Sequence, residues 1–538
     1  MTRGGSTRDE EVRLRRDVRF IPMMNGWYPT PLLISPMTFG LVTKRSHLPT
    51  MESFVEAPDV HRACVATPEL RGGPFINYGG PAADVARHIQ DTRDACSAAL
   101  QRADDMESLF AALPHAATGG GLRAAYRALP QTLSGAVELQ YDTLKQPGVR
   151  FVESDLYRRA EREGHAALQS GRLELATKQE RPFFLSTPLL ARSEGAVDLR
   201  VPFSDPLWDR LFSRSPQRRG ELQEIFASLT DDPRSSVDNL FERPDSSPGC
   251  SAPALDGSTR VRYFGHACVL MESDSHAVLV DPLISYPGES DLQRWTFDDL
   301  PSRIDYVLIT HGHVDHFVLE TLIQLRHRIG CVVVGRAAGG DLQDVSLKLA
   351  LQHCGFRSVV ELGDHEEIAE AGLRIVAAPF FGEHADLDIR AKASFGVTLG
   401  ASTCAFFADS NPPDPECYRG LREMLPPIDC MFIGMECVGA PATWSYGSLL
   451  QATLTRDEDQ SRRLDGSNAD TATRMRDFLQ PRRSFVYAMG AEPWVTHLSS
   501  IVYSEDLQQF KEARRFERET RARGLHAEVL YGSMDMRC

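Results

Sequence analysis

The chain has no C-x-x-C pair among its 11 cysteines, which argues against a zinc ribbon, a rubredoxin centre or a disulfide framework. No apolar stretch approaches the ~20 residues that a bilayer-spanning helix needs. The opening Met1-Thr2-Arg3-Gly4-Gly5 runs into charged sequence with no apolar core behind it, which argues against a signal peptide. Positive charge is also in deficit: 59 Lys and Arg face 74 Asp and Glu, a formal charge of −15. That balance disfavours general binding to nucleic acid or to anionic membranes. What is present is ordinary core-forming composition, 42% apolar and 25% charged, as expected of a cytoplasmic globular protein. At 538 residues it exceeds one ordinary domain and suggests two or three.

The chain divides near its middle. Pro244-Asp245-Ser246-Ser247-Pro248-Gly249-Cys250-Ser251-Ala252-Pro253 is rich in turn formers and reads as a linker or long loop. The expected organisation is a mixed α/β unit over 1–243, a linker over 244–258 and a second unit over 259–538. In the first unit, Val85, Ile89, Cys96, Leu100 and Ala103 recur at helical spacing. They predict a helix over 82–113 that Pro114 stops. Residues 152–168 predict a second, charge-laced helix, and Val18-Arg19-Phe20-Ile21-Pro22 a strand. No motif in this half carries chemistry.

After the linker, short strands alternate with turns. Arg260–Glu272 and Ala277–Asp281 read as two strands around Ser273-Asp274-Ser275. Further strands are expected at 304–310, 331–334, 373–377, 395–399, 404–408, 429–434 and 484–488, with a last one at Glu528-Val529-Leu530. Helices are expected over 317–328 and from a Ser504 cap to about Arg523. This pattern predicts a two-layer sheet core covered by helices.

Directly after the apolar run Val307-Leu308-Ile309 stands Thr310-His311-Gly312-His313-Val314-Asp315-His316. In an extended chain, side chains at i and i+2 share a face, so His311 and His313 can pinch one metal ion. A helix beginning at Val314 would bring Asp315 and His316 round to a second ion. Asp409 ends an apolar strand and opens the turn Asp-Ser-Asn-Pro-Pro. A carboxylate there can bridge two cations about 3.5–4 Å apart, or it can simply stabilise its own loop. Asp281 reads either as the orienting partner of a ligand imidazole or as a strand-end cap. His266 and His526 read as structural histidines.

In their order along the chain, Gly265-His266-Ala267, Asp281-Pro282, the His cluster, Phe380-Phe381-Gly382, Phe406-Phe407-Ala408-Asp409 and a late His497 resemble the metallo-β-lactamase superfamily. The resemblance covers roughly half the chain and implies an αββα sandwich with its metals at one edge of two sheets. Glu383-His384 is the position that divides its chemistries. Adjacent residues point to different sides, so only one of the two can join a given metal. A His384 ligand would give the nitrogen-rich shell that suits zinc and a hydrolase of lactonase or phosphodiesterase type. With Glu383, one ion has His311, His313 and Glu383, the other has Asp315, His316 and His497, and Asp409 bridges. That carboxylate-rich set suits iron and O₂ chemistry.

The whole chain is similar to a smaller group, the non-haem di-iron β-hydroxylases of nonribosomal peptide pathways. It shares with them the long N-terminal unit, Phe-Phe-Gly-Glu, Ala-Asp-Ser and the late histidine. The resemblance implies Glu383 as ligand, two iron ions and O₂. It also implies hydroxylation of the β-carbon of an aromatic amino acid held as a thioester on a synthetase carrier domain, in antibiotic biosynthesis. In the chloramphenicol branch that amino acid is p-aminophenylalanine. An external reductase is implied as well, since no flavin or rubredoxin signature is in the chain, and so is a homodimer built through the N-terminal unit. Two expectations are left with alternatives. Glu436, just past the strand at 429–434, either gates or hydrogen-bonds the site or is a plain loop acid. Arg158-Arg159, Arg214 and Arg218-Arg219 either meet an acidic carrier surface or are solvated helix faces.

Overall fold

The computed structural model describes residues 10–230, 238–244 and 255–538. The chain start and most of the Ser/Pro-rich stretch read as a linker lie outside the described residues. Two seven-stranded sheets form the centre. In the first, parallel strands Val359–Leu362, Ile329–Gly335, Ile304–Ile309 and Ala277–Val280 are followed by antiparallel Cys268–Glu272, Arg260–Gly265 and Met534–Arg537. In the second, Glu367–Glu370, Leu373–Ala378, Ser394–Leu399 and Ser402–Phe406 run antiparallel, then Cys430–Gly434, Arg483–Tyr487 and His526–Val529 run parallel.

Period-2 alternation explains the stacking. Val261 and Tyr263, Val278 and Val280, Ile375 and Ala377, Val397 and Phe395, and Phe485 and Tyr487 meet in one buried layer between the sheets. The intervening residues face outward. Val376, Ala405, Met431 and Val486 pack under the helices Ala469–Leu479 and Gln508–Ala522. Leu279, Val307, Ile309 and Val332 are instead covered by the N-terminal half, through Val12, Phe20, Trp208 and Leu222. Both faces of the Ile304–Ile309 strand are thus covered, as its nearly unbroken apolar sequence requires. The αββα sandwich and the mixed α/β first half agree with the sequence, and among the described residues no helix is long and apolar enough to cross a membrane.

Boundaries differ in instructive ways. The helix expected over 82–113 is two, Ala82–Ala95 and Ser97–Ala116, broken at Cys96, and Pro114 lies inside the second. Its ring falls in the last turn, so it ends the helix without a kink in the middle. The helix expected over 152–168 closes at Arg162, before Gly164 in the left-handed region. Arg260–Glu272 is not one strand but a hairpin that turns at His266-Ala267. No helix begins at Val314; a tight turn does the work there, with His316 N–H and Phe317 N–H both donating to the His313 carbonyl, and the helix starts at Leu319. The last strand is Met534–Arg537, which returns to the first sheet.

Candidate metal centre

One edge of the sandwich gathers the chemistry. Asp281, His311, Asp409 and Glu436 follow the C-terminal ends of four parallel-paired strands, Glu383 follows Leu373–Ala378, and His266 sits in the hairpin turn beside them. Non-glycine residues here that hold left-handed backbone include His266 (φ 50°), Asp281 (38°), Glu383 (63°), Ala408 (44°) and Ala488 (53°). Each costs of order 1 kcal/mol or more, a strain that persists where the surroundings over-determine it. Gly434 makes room for the carboxylate, since a Cβ there would stand 2.6 Å from Asp409 Oδ1.

Three sets of donor atoms lie within 4.8 Å of one another: His311, His313 and Glu383; His311, His316 and Asp409; and His266, Asp315 and His316. Glu383 Oε1 is 2.7 Å from His313 Nδ1, and its Oε2 is 3.8 Å from His311 Nε2. Asp409 Oδ2 is 3.0 Å from His316 Nε2 and 3.8 Å from His311 Nε2, between the two histidine positions. Partners behind the ligand faces fix the rings. His316 Nδ1 is 2.8 Å from Asp281 Oδ2, and Asp281 also accepts from the Thr310 amide and hydroxyl. Tyr446 places its hydroxyl 3.1 Å from His313 Nε2.

Charge at the site is tuned by burial and then by neighbours. Burial alone would lower His316, but Asp409, Asp315 and Asp281 reverse it and drive it well above the usual imidazole range. Burial alone would raise Glu383, yet His313 and His384 bring it down to about 2. His311, buried among other histidines, is held well below its ordinary value. His311 Nε2, His316 Nε2, Glu383 Oε2 and Asp409 Oδ1 are all buried without a hydrogen-bond partner. Such atoms are expensive to leave alone, and cations between them would satisfy all four. The donor set therefore fits two metal ions.

Of the neighbouring pair, Glu383 is the one grouped with His311 and His313. Glu383 points in; His384 stands behind, its Nδ1 2.9 Å from Glu383 Oε2 and its ring stacked on His313 at 4.7 Å. The late histidine needs correcting. His497 does not reach the cluster; its Nε2 lies 2.6 Å from Arg181 Nη2 and 3.9 Å from Glu320 Oε2, and its ring packs on Phe184 and Tyr28. The Pro493–Val495 turn leads into it, and the N-terminal half supplies its partner Arg181. In its place the structure brings His266, with Nε2 3.2 Å from Asp315 Oδ2.

Glu436 accepts from the Tyr503 hydroxyl at 2.8 Å, and burial with Asp409 and Asp315 nearby pushes it up to about 8. Of the arginines considered for docking, Arg159 donates to the Thr132 and Ser134 carbonyls, Arg214 to Glu242 and Arg219 to Glu10 and Asp238. Arg158 and Arg218 remain on the surface. Thr310, Tyr446 and Tyr503 escaped the sequence reading. Thr310 had a signal, standing next to His311 at a strand end; the two tyrosines had none.

Comparison with known proteins matches residues 13–244 to the diiron non-heme beta-hydroxylase N-terminal domain and residues 276–445 to the beta-lactamase superfamily domain. The chain is 35% identical over 536 residues, 96% of its length and 98% of the relative's, to the 4-amino-L-phenylalanyl-[CmlP-peptidyl-carrier-protein] 3-hydroxylase of Streptomyces venezuelae. It superposes on the crystal structure of CmlA, a diiron beta-hydroxylase from Streptomyces venezuelae. The TM-score is 0.89 and the identity 33%, covering 98% of this chain and all of that one. A metal-dependent hydrolase of Staphylococcus saprophyticus is 35% identical over only 82 residues, 15% of this chain and 33% of that protein.

Proposed function

The chain belongs to the non-haem di-iron β-hydroxylases and is an oxygenase; from that premise we propose that it hydroxylates the β-carbon of an aromatic amino acid bound as a thioester to a peptidyl carrier protein in antibiotic biosynthesis, with p-aminophenylalanine as the substrate. The observation that carries this over a zinc hydrolase is Glu383, whose carboxylate lies 2.7 Å from His313 while His384 is held behind it. The whole-length likeness to an aminophenylalanyl carrier-protein 3-hydroxylase supports the substrate.

His311, His313 and Glu383 would hold one iron, Asp315 and His316 the other, and Asp409 would lie between them. Two ferrous ions at such a site supply the redox chemistry that O₂ needs to attack a benzylic C–H bond, which zinc cannot do. Asp281 and Tyr446 hold the outward nitrogens of His316 and His313, so that the inward ones face the metals. Glu436, accepting from the Tyr503 hydroxyl at 2.8 Å, is held beside the metal-binding carboxylates, where it can hydrogen-bond the site. The overall balance, one O₂, two electrons and two protons giving the alcohol and water, calls for an external reductase. We place the protein in the cytoplasm as a homodimer that uses its N-terminal half. A carrier-facing surface there falls to the exposed Arg158, which also pairs with Asp155 at 3.3 Å, and the exposed Arg218.

The test is a panel of carrier-bound aromatic amino acids given to the iron-loaded, reduced enzyme. Turnover of the aminophenylalanyl thioester above the phenylalanyl and tyrosyl ones, with none of the free amino acid, is the expected result. Equal turnover of the free amino acid would remove the carrier from the account.

A further inference from the structure

His266 looks like a fourth histidine ligand. Its ring is buried, its Nε2 turns toward the cluster, and Asp315 and His316 offer donor atoms beside it. Proton accounting says otherwise. A neutral imidazole has one protonated nitrogen and one lone pair. At His316 the outward Nδ1 faces the Asp281 carboxylate, which can only accept, so Nδ1 carries a hydrogen and Nε2 is the nitrogen at which a metal would replace a proton. At His266 the outward Nδ1 faces the backbone N–H of Gly490 at 3.1 Å, which can only donate. Nδ1 must then be the acceptor, and the hydrogen sits on Nε2, 3.2 Å from Asp315 Oδ2.

Turning the ring over would lose the Gly490 contact and point carbon at Asp315, so one orientation serves both ends. Backbone contacts hold the residue there: the Ala488 N–H donates to the His266 carbonyl at 2.8 Å, and both residues keep left-handed φ. Trp494 stands against Gly265, where a Cβ would come within 2.4 Å of its ring, so the turn cannot relax away from the site.

We infer that His266 is a positioning residue whose Nε2–H restrains one oxygen of Asp315, rather than a metal ligand. The inference rests on the metal assignment proposed above. The metal pair then has three imidazoles, from His311, His313 and His316, and the second position has only one of them. With one oxygen tied to His266, Asp315 can turn only the other freely toward the metal.

Imidazole counting on the iron-loaded wild type by X-ray absorption tests this, together with His266→Gln, whose amide N–H can replace the donor. Three imidazoles per metal pair, in both proteins, is the expected result. Four in the wild type, or a loss of one in His266→Gln, would overturn it. His266→Ala should keep the count and the iron while shifting the midpoint potential to a more negative value, as the freed carboxylate becomes a stronger donor; His266→Gln should restore it. A potential unchanged in His266→Ala would reduce the residue to packing and overturn the positioning role. The ¹⁵N spectrum of the histidine-labelled apoprotein separates this from the metal assignment. A proton on His266 Nε2 is expected, and a proton on Nδ1 would defeat the inference whatever metal the protein holds.

Discussion

His316 and Asp281 are locked together, Nδ1 to Oδ2 at 2.8 Å, both fully buried, with the same carboxylate also accepting from Thr310. Under the proposed metal assignment, Asp281 is the residue that aims the His316 imidazole at the metal position. Asp281→Asn is expected to lower iron affinity by 10- to 100-fold, the usual effect of removing such a partner. Iron titration of the apoprotein measures it, and unchanged affinity would leave Asp281 with only its strand-end role.

Glu383 and His384 are expected to part company on substitution. Glu383→Ala should lose at least one iron per chain, because it removes both carboxylate oxygens facing His311 and His313. His384→Ala should keep both irons. Plasma mass spectrometry of the two variants decides it; the opposite pattern would favour the hydrolase arrangement.

Arg181 is largely buried and bidentate to Glu320 at 2.9 and 3.0 Å, in the helix that follows the His cluster. Either partner alone would be a buried, uncompensated charge. Arg181→Met is expected to cost about 3–5 kcal/mol of stability, and Arg181→Met with Glu320→Leu to recover much of it. Denaturant melts of the four proteins in a double-mutant cycle give the coupling; simple additivity would contradict it.

Glu153 bridges the two halves, accepting from the Ser35 hydroxyl at 2.7 Å and the Ser346 amide at 3.0 Å. Burial is the first cause that pushes it up from 4.5 to about 7. Between those values the unfolded chain releases a proton that the folded protein keeps, so stability falls as pH rises and levels off above about 7. The loss is roughly 3 kcal/mol. Glu153→Gln should flatten this part of the pH profile of unfolding, and an unchanged slope would place the titration elsewhere.

Much of this was legible in the sequence. Period-2 runs gave most strands of the sandwich, and the cluster from His311 to His316, with Glu383 and Asp409, marked the edge where they converge. Local pattern failed where a residue's role depends on a distant partner. His497 stands at the right point in the chain order for a ligand, but Arg181, 316 residues away, holds it elsewhere. His266 and Glu383 adopt backbone that their residue types disfavour, so propensity could not foresee their orientation. Cys96, which fits the apolar stripe, nonetheless marks the break between two helices.

The most direct measurement is a single turnover of the reduced, iron-loaded enzyme with ¹⁸O₂ and carrier bearing the p-aminophenylalanyl thioester, read by mass spectrometry of the released amino acid. One labelled oxygen atom on the β-carbon is the expected result. Unlabelled product, or hydrolysis of the thioester with no oxygen gained, would contradict it.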